Sequence, residues 1–361
     1  MRLLTGLFCL LSISLVAQDS VLTKPITGLT ASLHYASIFA HSKDVQNTSG
    51  ANPIGLEFLY TKQRKDEAAW QLCNCYLNKG FGINYFNYDN RILGEAAAVF
   101  YVLEPQFKLS NRLKFLMTSS TGFSFLSNPY HKTTNPNNMS YSLPVSFYVG
   151  LGSGLQYQLS EHFQLGLIGH YLHVSNGGLK DPNKGINWPS ANLRLTYNLQ
   201  PNTLPSYTKK QLLHTKQNKF SASFFHSTKT AAPGEKKRHF IYGLQTYFSR
   251  SVSTLHAFSF GGEFFIDHAL QEKLKRNGLN KSHNRAGLLV GHEFLFGKFI
   301  FSQQLGYYVY SPSPYFTKFY HRWGLLYYTN SRLALGFNLL AHAQVANFLD
   351  LRITYTLNKV K

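Results

Sequence analysis

The chain has 361 residues, of which 44% are hydrophobic, 15% aromatic and only 14% charged, yet its formal net charge is +20. After the amino terminus no segment offers the ~20 uninterrupted apolar residues that a membrane-spanning helix needs, which argues against an α-helical membrane protein. Many aromatic residues without long apolar runs suit a membrane β-barrel with interfacial girdles, and the positive excess points to an anionic partner.

Residues 1–17 read as a secretory signal. Arg2 supplies the charged start, Leu3 to Leu11 form an apolar stretch too short to span a bilayer, and cleavage is expected after Ala17. Cys9 lies inside that stretch. An exported chain rarely meets nucleic acid, so a phosphate-bearing lipid surface is the expected anionic partner. Cys73 and Cys75 read as two small apolar residues on one face of a strand, a poor geometry for a disulfide. With no further Cys or His at metal-ligand spacing nearby, zinc is not expected there.

Strand-like runs of about ten residues, separated by turn residues, recur from Thr27 onward. They fall near 28–42, 53–62, 79–88, 92–108, 112–126, 141–159, 163–175 and 188–199. A polar stretch follows over 200–217. Further runs lie near 219–228, 238–249, 255–267, 285–296, 299–310, 319–329, 332–343 and 347–357. The stretch 270–284 reads as a loop with a helical turn. The expected architecture is all-β. Residues 18–361 should form a single closed transmembrane antiparallel barrel of 12 to 16 strands, with 14 expected because some runs would merge. The competing arrangement is a separate eight-stranded barrel that ends near residue 200.

Connections alternate in length through the middle of the chain. Ser110-Asn111 and Ser160-Glu161 are tight turns, whereas 127–140 and 176–187 are long. Outer-membrane barrels have short periplasmic turns and longer extracellular loops, so the long loops should face outward from the cell. Along 163–175, Tyr171, His173 and Ser175 share one face, since side chains in a strand alternate with period two. In the following strand Asn187, Pro189, Ala191, Leu193, Leu195 and Tyr197 form an apolar face, opposite a polar face of Ser190, Asn192, Arg194 and Thr196. The apolar face belongs against lipid. A hairpin centred near Asp181 would place Asn187 opposite Ser175, and His173, Ser175 and Asn187 would then converge on the lipid-facing wall. A hydroxyl and an imidazole two residues apart on a strand are a candidate nucleophile and base.

The string His173-Val-Ser175-Asn176-Gly-Gly178, followed by Pro182-Asn183-Lys-Gly185-Ile186-Asn187, resembles the lipid A 3-O-deacylase family, the PagL-type outer-membrane barrels. Their signature is His-x-Ser-Asn, a small residue and Gly, then Pro-Asn-x-Gly-Ile-Glu. Asn187 stands where the family has Glu. The resemblance covers roughly residues 28 to 200, and residues 201–361 would be additional strands. It implies an esterase that removes an ester-linked 3-hydroxyacyl chain from lipid A, with Ser175 as nucleophile, His173 as general base and Asn187 orienting the base. Asn176 and the backbone N–H of Gly178 would be the oxyanion donors. Such chemistry calls for no metal or cofactor. Lys180, Lys184 and Arg194 at the rim are candidates to meet lipid A phosphates. Two non-enzymatic alternatives stand beside this reading. One is an outer-membrane pore, favoured by a wider barrel; the other is an idle lipopolysaccharide-binding barrel, favoured by Asn187.

Overall fold

A computed structural model of the chain describes residues 24–208, 217–232, 235–343 and 345–357. The expected signal segment 1–17 lies outside them. The described residues form two closed antiparallel barrels of eight strands each. The first contains β1 (Ile26–Ala36), β2 (Ile54–Gln63), β3 (Tyr76–Asn87), β4 (Glu95–Lys108), β5 (Leu113–Leu126), β6 (Val145–Gln158), β7 (Phe163–Ser175) and β8 (Ile186–Asn198). The second contains β9 (Asn218–Thr230), β10 (Arg238–Ser251), β11 (His256–Asp267), β12 (Asn284–Phe296), β13 (Phe299–Tyr310), β14 (Phe319–Tyr328), β15 (Leu333–His342) and β16 (Val345–Thr356).

The expectation of a single large barrel is therefore corrected. β8 returns to β1, from Gly28 opposite Asn198 to Ala36 opposite Ser190. β16 likewise returns to β9, from Leu351 opposite His226 to Thr356 opposite Ser221. All sixteen strand-like runs are strands, so none merged. What differs is the partner of β8. Two further readings change. Cys73 and Cys75 are not on a strand; they follow the short helix α1 (Glu67–Gln71) and are joined as a disulfide. Asn74 between them takes a left-handed conformation (φ 53°), which brings the two Cα atoms to 5.1 Å. The loop after β11 contains a genuine helix, α2 (His268–Arg276), capped by the Asp267 carboxylate, which accepts from the Leu270 N–H at 2.9 Å.

Alternation sets the two surfaces of each ring. In β1, Leu29, Leu33 and Tyr35 face out and are exposed, whereas Thr30, Ser32 and His34 face in and are buried. The apolar outer wall suits a hydrocarbon surrounding, and closure of each ring pairs the backbone groups that such a surrounding cannot solvate. No helix among the described residues is long and apolar enough to cross a membrane. Eight strands leave an interior just wide enough for side chains. In the first barrel the lumen is crossed by Arg194, whose Nη1 donates to Glu104 Oε1 at 2.7 Å, with Glu57 Oε1 at 3.8 Å from Nη2. In the second, Arg322 lies between Glu263 (2.8 Å) and Asp350 (2.7 Å), and Arg352 reaches Asp350 at 2.9 Å.

The ends of the first barrel are closed differently. At the tight-turn end, the segment after β8 folds back beneath the lumen. There Lys114 Nζ donates to Asn202 Oδ1 (3.2 Å), Lys108 Nζ to the Leu204 carbonyl (3.2 Å) and Tyr207 OH to the Lys65 carbonyl (2.8 Å). At the long-loop end an apolar plug fills the interior. Trp188 packs edge-on against Phe86 (5.5 Å) and Tyr88 (5.3 Å), joined by Leu172, Val174 and Ile186. These inward residues are the direct neighbours of His173 and Asn187 along β7 and β8, so the plug fixes the strands from behind.

The Arg194 network gives a stability test. Replacing Arg194 with Leu leaves Glu57 and Glu104 buried without their cation, and breaking a buried pair in this way costs roughly 3–5 kcal/mol. The Arg194→Leu protein should unfold at a clearly lower urea concentration in detergent micelles, read by loss of the heat-modifiable band.

Candidate functional site

The β7–β8 hairpin carries the site. His173 pairs with Asn187 across the ladder, and Ser175 pairs on its other side with Phe147 of β6. The hairpin is thus centred one residue earlier than the sequence suggested, and Asn187 stands opposite His173 rather than Ser175. The shift preserves the shared face, because paired residues project to the same side. His173, Ser175 and Asn187 all lie on the outward wall, in the row of Leu165, Leu167 and Tyr171.

The three side chains are connected. Ser175 Oγ is 3.0 Å from His173 Nε2, and His173 Nδ1 is 2.7 Å from Asn187 Oδ1. A fourth residue, which sequence reasoning missed, completes the line: Asn187 Nδ2 is 2.8 Å from His41 Nδ1. Barrel closure brings His41 there. The β1–β8 pairing continues beyond the strand proper, with Ser37 N–H donating to the Pro189 carbonyl (3.1 Å) and Phe39 N–H to the Asn187 carbonyl (2.8 Å). Only a sequence signal for which strand closes on β1 would have revealed this residue.

The loop between β7 and β8 is tied down by side chains. Asn176 N–H donates to Asn183 Oδ1 (2.9 Å), and Asn176 Nδ2 donates to the Lys180 carbonyl (2.7 Å). Gly178 N–H donates to Asn176 Oδ1 (3.0 Å). The Lys184 and Gly185 N–H groups donate to the Met139 and Ser140 carbonyls of the preceding long loop (3.0 and 2.7 Å). Gly185 sits at φ +80°, and a Cβ there would lie 2.7 Å from His173 Cε1, so only glycine lets the loop close over the imidazole. Arg194, one of the three cations expected at the rim, is instead buried in the lumen against Glu104 and cannot reach a headgroup there. Lys184 pairs with Asp44 at 2.9 Å, and Lys180 is exposed.

The far side of the same loop rests on the second barrel. A Cβ at Gly177 would be 3.6 Å from Leu349 Cβ, and one at Gly178 would be 3.1 Å from the Asn347 carbonyl oxygen. Arg238 Nη1 donates to the Leu179 carbonyl. Among the described residues there is no group of three or more His, Cys, Asp or Glu side chains placed to hold a metal ion.

Residues 55–197 match the family model for lipid A 3-O-deacylase (PagL), and residues 218–359 match that for the acyloxyacyl hydrolase C-terminal domain. Together the two span well over half of the sequence. The chain belongs to the lipid A 3-O-deacylase family. The first match lies within the first barrel and contains the β7–β8 hairpin; the second lies over the second barrel. Among solved structures, the outer-membrane enzyme PagL is similar at 18% identity, covering 46% of this chain and 97% of its own, with a TM-score of 0.33. Neisserial surface protein A is similar at 10% identity, covering 47% of this chain and 96% of its own, with a TM-score of 0.34. The search of curated proteins found no match. Family membership carries the outer-membrane barrel and the hydrolase class; within the family's signature, this member has Asn187 in place of Glu.

Gly185→Ala should displace the His173 ring and destabilise the protein by roughly 1–2 kcal/mol, the cost of a side chain in the left-handed region. The displacement should appear as a shift of the His173 imidazole nitrogen resonances in a ¹⁵N-histidine-labelled sample, with the barrels still folded.

Proposed function

We propose that the chain is an outer-membrane esterase that removes an ester-linked 3-hydroxyacyl chain from lipid A by a Ser-His mechanism. The observation that carries this reading is the line Ser175–His173–Asn187 on the outward wall beside the long-loop end. A hydrolase whose substrate is itself a membrane lipid needs its nucleophile on that wall.

Each residue has a chemical role. Ser175 Oγ attacks the ester carbonyl as His173 Nε2 takes its proton, because a serine hydroxyl is a weak nucleophile without such a base. His173 then returns the proton to the departing sugar hydroxyl, leaving an acyl-enzyme that water hydrolyses by the same exchange. Asn187 Oδ1 accepts from His173 Nδ1, which leaves the Nε2 lone pair facing Ser175. Asn176 and Gly178 are the proposed oxyanion donors. The Gly178 N–H now bonded to the neutral amide oxygen of Asn176 would turn to the charged oxygen of the tetrahedral intermediate, which is the stronger acceptor. Exposed Lys180 is a candidate contact for a lipid A phosphate.

One second reading has an observation behind it. Asn187 supplies no negative charge to the imidazolium, which favours an idle lipopolysaccharide-binding barrel. The pore reading loses its basis, since it rested on a wider ring, whereas both lumens are narrow and crossed by ion pairs.

Ser175→Ala and His173→Ala should each abolish loss of the 3-hydroxyacyl mass from lipid A incubated with purified protein, read by mass spectrometry. Each change removes a hydrogen bond within the covered line and should cost roughly 1–3 kcal/mol of stability, with both barrels still folded. Asn187→Ala should lower the rate, and Asn187→Glu should maintain or raise it. Wild-type and Asn187→Glu proteins that are folded yet both inert would reject the hydrolase in favour of the idle barrel.

A further inference from the structure

We infer that His41 is a positioning residue that sets the direction of the hydrogen-bond line by holding the Asn187 amide with its oxygen toward His173. The inference deepens the Ser-His reading and rests on it for its catalytic consequence. Its structural content, the tautomer of His173, stands apart from turnover.

A carboxylate and an amide differ in symmetry. A carboxylate at position 187 would present oxygen to both neighbours, so its orientation would not matter. An amide presents oxygen on one side and NH₂ on the other, and the two are close in size. The line of four residues therefore has two self-consistent proton orders. In the first, Ser175 O–H donates to His173 Nε2, His173 Nδ1–H donates to Asn187 Oδ1, and Asn187 Nδ2–H donates to His41 Nδ1. In the second, every donor and acceptor is exchanged. His41 Nδ1–H then donates to the Asn187 oxygen, Asn187 N–H donates to His173 Nδ1, and His173 Nε2–H donates to Ser175 Oγ. Only the first leaves His173 able to accept the serine proton.

The geometry corresponds to the first order. Asn187 Oδ1 is 2.7 Å from His173 Nδ1, and Nδ2 is 2.8 Å from His41 Nδ1. The Asn187 backbone is held in the ladder opposite His173 and accepts from Phe39 N–H, so the side chain's remaining freedom is the rotation that exchanges O and NH₂. What opposes that rotation is the partner at the far end. An acceptor at position 41 selects the productive order; a donor selects the inert one. With its proton on Nε2, His41 supplies by hydrogen bonding the orientation that the family's Glu obtains from symmetry.

The test exchanges the polarity of position 41 in two backgrounds. With Asn187 present, His41→Phe removes the acceptor and should lower kcat about tenfold, the preference one hydrogen bond provides. His41→Lys offers only donors and should lower kcat at least a hundredfold, with KM unchanged. His41→Glu offers only acceptors and should keep kcat within about threefold of wild type. With Asn187→Glu, the Phe and Lys variants should lose this effect and stay within about threefold of their parent. In parallel, ¹⁵N imidazole spectra in micelles should show His173 Nε2 unprotonated in the wild type and protonated in His41→Lys. Equal losses in both backgrounds, or a His173 tautomer indifferent to position 41, would overturn the inference. An inert but folded wild type that still shows the tautomer exchange would instead reject the hydrolase reading and leave the role of His41 intact.

Discussion

Closure of β1 onto β8 is the pairing on which the site depends. A strand edge left open in a bilayer would expose a row of unpaired N–H and C=O groups to hydrocarbon, at several kcal/mol each. The first ring meets this requirement after eight strands, and in doing so it fixes the neighbours of β8. On one side stands β7 with His173 and Ser175. On the other, the continuation of β1 passes Pro189 and Asn187 and delivers His41. Had β8 paired onward into the later strands, as a wider barrel would require, Asn187 would face a different partner. The outward line of four side chains is a product of ring size as much as of motif.

The inner and outer surfaces of β7 and β8 divide their work accordingly. Inward, Leu172, Val174, Ile186 and Trp188 lock into the aromatic plug. Outward, His173, Ser175 and Asn187 lie under the rim loops. A strand lets alternate residues serve a rigid interior and a reactive exterior within a few ångströms, and rigidity behind the site substitutes for a deep pocket. The loop closes the arrangement through glycine: Gly185 makes room for the imidazole, and Gly178 allows the chain to press against β16.

Local patterns were legible in the sequence, and non-local pairings were not. Period-two alternation and turn residues located all sixteen strands, and the same alternation placed His173, Ser175 and Asn187 on one wall. The register of the hairpin was missed by one residue at its centre, because the loop's glycines and Pro182 do not reveal which residues leave the ladder first. The size of the ring was missed because every strand carries the same alternation and none names its distant partner. His41 was invisible for that reason: it lies far from the motif in sequence and becomes its neighbour only through closure. Arg194 belongs to the polar face of β8, and that face, not nearness to the loop, sends it into the lumen instead of to the rim. The Cys73–Cys75 disulfide is not legible in the sequence, because nothing in Cys-Asn-Cys distinguishes a turn through left-handed Asn74 from a strand.

The two-ring topology also divides what the site depends on. Each ladder closes within its own stretch of chain, so the first ring needs no residue beyond β8 to finish pairing. Ser175, His173, Asn187 and His41 can meet as soon as β1 finds β8. The outer flank of the Gly177–Leu179 loop depends on the second ring, through Arg238 of β10 and Asn347 and Leu349 of β16. The line of side chains is complete within one ring, and the bed beneath its loop is supplied by the other.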